Sequence, residues 1–189
     1  LQREADEAVR VLKEGGIILY PTDTVWGLGC DATNAEAVER IYKLKRSENK
    51  KSMLMLCASA DMVVRYVNKA PGIAFEVMEL ATSPLTAILP GAAGVAENLI
   101  PEERTLGVRI PDHAVALAIV EALGHPLVTA SVKDSEEEYT TDPSLIEERY
   151  GSAVEAVIDG GYGLCVPTTV VDLTGDEPEI LREGKGELQ

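Results

Sequence analysis

The pattern of apolar and polar positions predicts helices that alternate with short strands. Within residues 5–12 apolar side chains recur at helical spacing, and Gly15-Gly16 ends that first helix. A capping box, Thr33-x-x-Glu36, begins a second helix that runs to about Lys45. Further helices are predicted to begin at Asp61 and Pro71, to cover 114–123, and to begin at Pro143 behind an Asp142 N-cap.

Short runs of apolar, often β-branched residues predict the strands. No internal repeat, low-complexity linker or domain boundary interrupts the alternation of strands and helices. We therefore expect one α/β domain over 1–189 with a mixed sheet. The predicted strands cover 17–20, 53–57, 85–89, 106–110 and 126–131, and three strand-like stretches follow at 154–158, 169–173 and 179–182.

Composition limits the class of protein. The 189 residues are 46% hydrophobic, as in a globular domain, and no apolar run is long enough to span a membrane. The charged amino terminus does not read as a signal peptide. Three separated cysteines without a C-x-x-C pair predict buried thiols in a reducing, cytoplasmic compartment, and two histidines give no basis for a metal site.

The charge distribution points to one unusual segment. A net charge of −15 is expected to repel nucleic acid and membrane phosphates over most of the surface. Nevertheless, six of the 17 basic residues fall between positions 40 and 51. The segment is either a solvated helix face or a local anion site, and both interpretations stay open. The six are Arg40, Lys43, Lys45, Arg46, Lys50 and Lys51.

The segment 20–32, YPTDTVWGLGCDA, concentrates polar groups at a predicted strand end. Thr22, Asp23 and Thr24 offer hydroxyls and a carboxylate there, a usual ligand position in α/β sheets. The alternative is a polar turn held by its own Asp and Thr side chains. The sequence assigns no role to Asp23.

Other candidates share this character. Thr105 and Arg109 fall on one face of a strand, and a buried arginine needs a phosphate, a carboxylate or an internal ion pair. Ser131, Thr168 and Arg182 follow or flank other strands. The usual P-loop, Rossmann, nucleophile-elbow and zinc-protease motifs are absent from the sequence. Hydroxyls and guanidiniums near one lysine cluster favour a site that binds a polyanion together with a small zwitterion.

Seven ordered blocks across nearly the whole chain give a specific resemblance: YPTDTVWGLGCDA, IYKLKR, TLGVRIP, PLVTAS, DGGYG, PTTVVDL and ILREGKG. The chain resembles the YrdC-like family, which includes threonylcarbamoyl-AMP synthases, and is closer to its YciO-like branch. The resemblance implies a single YrdC-like α/β domain, with a twisted open mixed sheet and helices around a large positively charged cavity.

The resemblance also implies an activity. The family's synthases convert L-threonine, bicarbonate and ATP into threonylcarbamoyl-adenylate and pyrophosphate, for the t6A modification of tRNA. ATP would act with Mg²⁺ as a substrate complex, with no tightly bound organic cofactor and no protein metal site. Double-stranded RNA and tRNA-modification proteins are the further partners that the family suggests.

The family's site residues carry over onto matching positions of this chain. The threonine site would use Thr22, Thr24, Arg109 and Thr168. No catalytic residue beyond the binding groups is assigned. The nucleotide and its phosphates would use Lys45, Arg46, Ser47, Thr105, Ser131, Lys133 and Arg182.

Two departures from the synthase pattern leave alternatives open. The family's K-x-R becomes Lys45-x-Ser47, and S-x-N-x-S-G has Lys133 at the Asn position and no Gly. The chain is therefore an adenylate-forming enzyme, a module that binds double-stranded RNA or nucleotide without turnover, or a scaffold with a decayed pocket.

Overall fold

The computed structural model describes residues 2–45, 53–72, 74–76, 85–132, 143–158, 168–175 and 177–184. The strands are β1 (Ile18–Tyr20), β2 (Gly27–Asp31), β3 (Met53–Leu56), β4 (Leu85–Pro90), β5 (Thr105–Arg109), β6 (Leu127–Ser131), β7 (Ala156–Val157), β8 (Thr169–Asp172) and β9 (Glu179–Arg182). The helices are α1 (Gln2–Lys13), α2 (Ala35–Lys45), α3 (Ala60–Tyr66), α4 (Ala114–Leu123) and α5 (Pro143–Tyr150).

Within the described ranges the strands form one mixed sheet. Their order is β7-β1-β2-β6-β3-β5-β4-β8-β9. The pairs β1–β7, β3–β5 and β4–β8 are parallel, and the remaining neighbours are antiparallel. This arrangement confirms the predicted α/β class and mixed sheet. The charge of the predicted cavity stays a prediction.

Two helix starts differ from those predicted. Asn34, not Thr33, caps α2, because its Oδ1 accepts the Ala37 amide proton at 3.1 Å while Thr33 donates to Asp31. The helix predicted to begin at Asp61 begins one residue earlier, at Ala60, and Ser59 caps it, because the Ser59 hydroxyl accepts the Met62 amide proton at 3.2 Å. Pro143 begins α5 as predicted, and the Asp142 cap lies outside the described residues.

Strand β2 lies within the segment 20–32, where no strand was predicted after Tyr20. Glycine is depleted in strands, so Gly27 and Gly29 gave no local strand signal. Here both glycines are required by close packing. A Cβ on Gly27 would lie 2.6 Å from Thr129 Oγ1, and a Cβ on Gly29 would lie 2.6 Å from Tyr20 Cε1. Their missing side chains therefore leave room over β2 for the Tyr20 ring and the Thr129 hydroxyl.

The hydrophobic core lies between the helices and one face of the sheet. Trp26, only 1% exposed, belongs to it. Cys30 and Cys57 are buried and free, and burial raises the pKa of Cys57 to about 12. Cys165 lies outside the described residues. Over the described ranges, no helix has the length and hydrophobicity needed to cross a bilayer.

The other face of the sheet carries glycines and polar residues at alternate positions, together with a few apolar side chains. Strand register aligns Gly27 with Ser131, Gly29 with Thr129, and Gly107 with both Leu54 and Ile88. We call this surface the glycine-rich face. It comprises Gly27, Gly29, Leu54, Thr86, Ile88, Gly107, Arg109, Thr129, Ser131, Val170 and Asp172.

Candidate functional site

The connection between β1 and β2 reaches the end of β5 and forms a buried polar cluster there. Arg109, at the end of β5, donates from Nη1 to Thr24 Oγ1 at 3.0 Å and forms an ion pair with Asp23 through Nη2. Arg109 is 3% exposed. Because 85 residues separate Thr24 from Arg109, this contact fixes the loop against the sheet. The polar residues therefore lie inside a β-hairpin connection rather than at a free strand end.

Hydrogen bonds within the loop set the direction of its two threonines. Thr22 Oγ1 donates to the Val25 carbonyl at 2.7 Å and accepts the Thr24 amide proton at 3.1 Å. The two threonine hydroxyls are 3.1 Å apart. The turn interpretation and the site interpretation are thus compatible, because Thr22 holds the turn that presents Thr24 to Arg109.

The structure gives Asp23 a role. Its Oδ1 pairs with Arg109, and its Oδ2 accepts the Asp112 amide proton at 3.2 Å. The two side chains are 4% and 8% exposed, so the pair is almost fully removed from water. Burial lowers the pKa of Arg109, and the nearby Asp23 charge opposes that shift. Asp23 therefore compensates and orients the guanidinium.

A second polar cluster lies on the adjacent strands. The Oγ1 atoms of Thr86 and Thr168 are 2.6 Å apart, and Arg182 donates to the Thr168 carbonyl from Nε and Nη2 at 3.0 and 2.8 Å. Because Ala87 pairs with Val108, the register places Thr86 beside Arg109 on the glycine-rich face. The two clusters are therefore neighbours on one surface.

Lys45 lies at the end of α2 and contacts another predicted site residue. Its Nζ donates to the Ser131 carbonyl, and Ser131 pairs with Gly27 at the start of β2. This joins the carboxyl end of α2 to the glycine-rich face. The structure leaves three predicted phosphate-binding residues, Arg46, Ser47 and Lys133, outside the described ranges.

Thr105 begins β5 and lies four positions before Arg109, a distance of about 13 Å along the strand. It lines a cavity of about 420 Å³ that lies over β4, β5 and β8. The cavity has apolar walls, including Leu54, Ile88 and Val170, with Asp172 among its polar residues. A volume of this size is typical of small-molecule sites.

The predicted residues thus fall into three neighbouring groups: Thr22 and Thr24 with Arg109, Thr168 with Arg182, and Lys45 with Ser131. Thr105 lies apart at the cavity. Sequence reasoning missed Thr86 and Asp172, which lie in strands with strong β propensity, and left Asp23 without a role. For Thr86 the available signal was one hydroxyl within the otherwise apolar run LTAIL.

A buried guanidinium among hydroxyls, next to a cavity on an α/β sheet, is an arrangement typical of α/β proteins that bind small ligands. Residues 10–184 match the Sua5_yciO_yrdC family model, described as telomere recombination. The chain belongs to the Sua5/YciO/YrdC family.

Relatives from both branches of the family match the chain. An uncharacterized protein YciO of Escherichia coli K12 is 36% identical, with 100% of this chain and 92% of the relative covered. A threonylcarbamoyl-AMP synthase of Halorhodospira halophila is 31% identical over 87% of both chains.

Two solved structures are also similar. The crystal structure of E. coli YciO has a TM-score of 0.90 at 34% identity, covering 99% of this chain and 92% of that one. P. abyssi Sua5 complexed with L-threonine has a TM-score of 0.89 at 29% identity. The latter match covers 97% of this chain but 55% of Sua5, so it concerns only part of that protein.

Proposed function

We propose that this chain is an ATP-dependent enzyme that joins the carbamate of L-threonine to AMP and releases pyrophosphate. The observation that carries the proposal is the buried Arg109 held between Asp23 and Thr24, in a fold that matches a Sua5 structure complexed with L-threonine. The sequence departs from the synthase pattern at Ser47 and Lys133, so the activity itself has to be tested.

The amino acid would lie against Arg109 and Thr24. Arg109 Nε is buried without a hydrogen-bond partner among the described residues, although Nη1 and Nη2 are both engaged. A buried donor of this kind favours a ligand oxygen as its acceptor, because an unpaired buried polar group costs about 1–3 kcal/mol. A substrate carboxylate supplies such an oxygen and matches the guanidinium in charge.

The nucleotide would lie across the glycine-rich face. The apolar walls of the 420 Å³ cavity suit a flat base, and the Asp172 carboxylate suits its amino group. The phosphates would then extend toward Lys45 and Arg182. Lys45 would exchange the Ser131 carbonyl for a phosphate oxygen, and Mg²⁺ would arrive with ATP as part of the substrate.

The chemistry requires alignment rather than a protein nucleophile. The threonine amine and bicarbonate would give a carbamate and water. One carbamate oxygen would then attack the α-phosphorus, and the bond from that phosphorus to the pyrophosphate leaving group would break. The chain's residues would hold the two reactants together and neutralise the phosphate charge. Asp23 would keep Arg109 fixed while the carbamate reacts.

The test is pyrophosphate release from ATP, Mg²⁺, bicarbonate and L-threonine, with each component omitted in turn. We expect release that needs all four. Arg109→Lys keeps the charge but loses the planar fork, so release is expected to fall about 100-fold or more. Arg10→Lys, on the exposed face of α1, is the matched control and is expected to retain full release.

Two results would count against the proposal. The first is ATP binding without threonine-dependent pyrophosphate release at high enzyme concentration, which would favour a nucleotide-binding module. The second is equal release by wild type and Arg109→Lys, which would remove the site from the reaction.

A further inference from the structure

The hydroxyls of Thr86 and Thr168 are hydrogen-bonded to each other at a buried position in the sheet. Their Oγ1 atoms are 2.6 Å apart, and the two residues are 0% and 2% exposed. Arg182 adds a third donor, since its Nη2 lies 3.2 Å from Thr168 Oγ1. Thr86 Oγ1 has no other hydrogen-bond partner in the part of the chain that the structure describes.

Either hydroxyl could donate in this pair, and counting protons favours one of the two directions. A guanidinium can only donate, so Thr168 Oγ1 accepts from Arg182. If Thr168 donated to Thr86, the Thr86 proton would be left in a fully buried position without an acceptor, which is costly. If Thr86 donates instead, both hydrogen bonds converge on Thr168 Oγ1. The Thr168 proton then points away from both donors.

We propose that Thr86 is a positioning residue that makes the Thr168 hydroxyl donate to an oxyanion oxygen of the bound substrate. This inference rests on the proposed function. The neighbouring cations support it, because Arg182 contacts Thr168 and Arg109 lies beside Thr86 across the β4–β5 register. An oxygen at this point would accept from Thr168 close to two guanidiniums, which suits a carboxylate or a phosphate.

The experiment measures the dissociation constants of L-threonine and of ATP with Mg²⁺, in separate titration calorimetry arms. If the substitutions weaken L-threonine binding, the oxyanion is its carboxylate. If they weaken ATP binding, the oxyanion is a phosphate. The variants are Thr168→Val, Thr86→Val, Thr86→Ser and the double Val variant. Valine keeps the branched shape and removes the hydroxyl, while serine restores the hydroxyl.

In the responding arm Thr168→Val is expected to weaken binding about tenfold or more, as for a hydrogen bond to a charged acceptor. Thr86→Val is expected to weaken binding several-fold, and Thr86→Ser to restore it. The double variant is expected to bind no worse than Thr168→Val, because Thr86 acts through Thr168.

A control separates positioning from general loss of stability. Thr169 is also buried, and its hydroxyl accepts the Gly184 amide at 2.9 Å. Thr169→Val is expected to lower the melting temperature without changing either dissociation constant. Ligand affinity that falls with Thr169→Val as much as with Thr86→Val would overturn the inference.

Failure of the inference and failure of the proposed function look different. Normal binding by Thr86→Val, or additive losses in the double variant, would overturn the inference while wild-type binding leaves the proposed function standing. Wild-type protein that binds neither L-threonine nor ATP would overturn both.

Discussion

Replacing Asp23 by asparagine tests whether the buried ion pair holds the site together. Asparagine keeps the shape and an acceptor for the Asp112 amide but removes the charge that compensates Arg109. Both side chains are less than a tenth exposed, so solvent screens the remaining guanidinium poorly. Breaking a buried pair by removing one partner costs about 3–5 kcal/mol. For a domain of this size, that corresponds to a melting temperature about 6–20 °C lower.

The assay is thermal and urea unfolding of wild type, Asp23→Asn and the double variant Asp23→Asn with Arg109→Met. The double variant is expected to recover much of the loss, because it no longer buries an uncompensated charge. Glu7→Gln, which breaks an exposed pair with Arg10, is the matched control and is expected to change stability little. A stability of Asp23→Asn within about 0.5 kcal/mol of wild type would refute the reasoning.

Three further predictions concern the scaffold. Burial alone would raise the pKa of Glu155, but the Ile17 amide and Arg40 outweigh it and lower that pKa. The Glu155 charge therefore stabilises the fold above the unfolded value of about 4.3. This contribution, about 1 kcal/mol or less at a side chain 42% exposed, is lost as the pH falls below 4.3. Urea unfolding should show Glu155→Gln less stable than wild type at pH 7, with the difference shrinking as the pH is lowered below about 4.3, and a difference that stays unchanged would contradict this. Gly29→Ala should cost about 1–3 kcal/mol in thermal unfolding, because its Cβ would meet the Tyr20 ring; an unaltered melting temperature would contradict it. Cys57, buried with a pKa of about 12, should resist a thiol reagent at pH 8 in the folded protein and react after unfolding, as peptide mass spectrometry would show.

The parts of the fold predicted from sequence were those with a local signal. The helical repeat of α1 and the β-branched runs of β4, β5 and β6 led to the right elements. Strand β2 was missed, since its Gly27 and Gly29 are selected by contacts with Thr129 and Tyr20 that no local pattern shows.

The site residues also divide into those with a local signal in the sequence and those without one. Thr22, Thr24 and Arg109 were recognisable as polar groups in unusual places, and the structure brings them into contact. The role of Asp23 was not recognisable, because its partner lies 86 residues away along the chain. The role of Thr86 depends on the β4–β5 register and on Thr168, 82 residues away. Pairings across such distances are set by the folded sheet rather than by neighbouring residues.

The most direct measurement of the central claim is mass spectrometry of the reaction product made with ¹³C-bicarbonate. The purified protein is incubated with ATP, Mg²⁺, L-threonine and labelled bicarbonate. If the clusters around Arg109 and Thr168 form one synthase site, an adenylate containing threonine should appear one mass unit heavier than in unlabelled bicarbonate. ATP breakdown without an adenylate that carries both threonine and the labelled carbon would contradict the account.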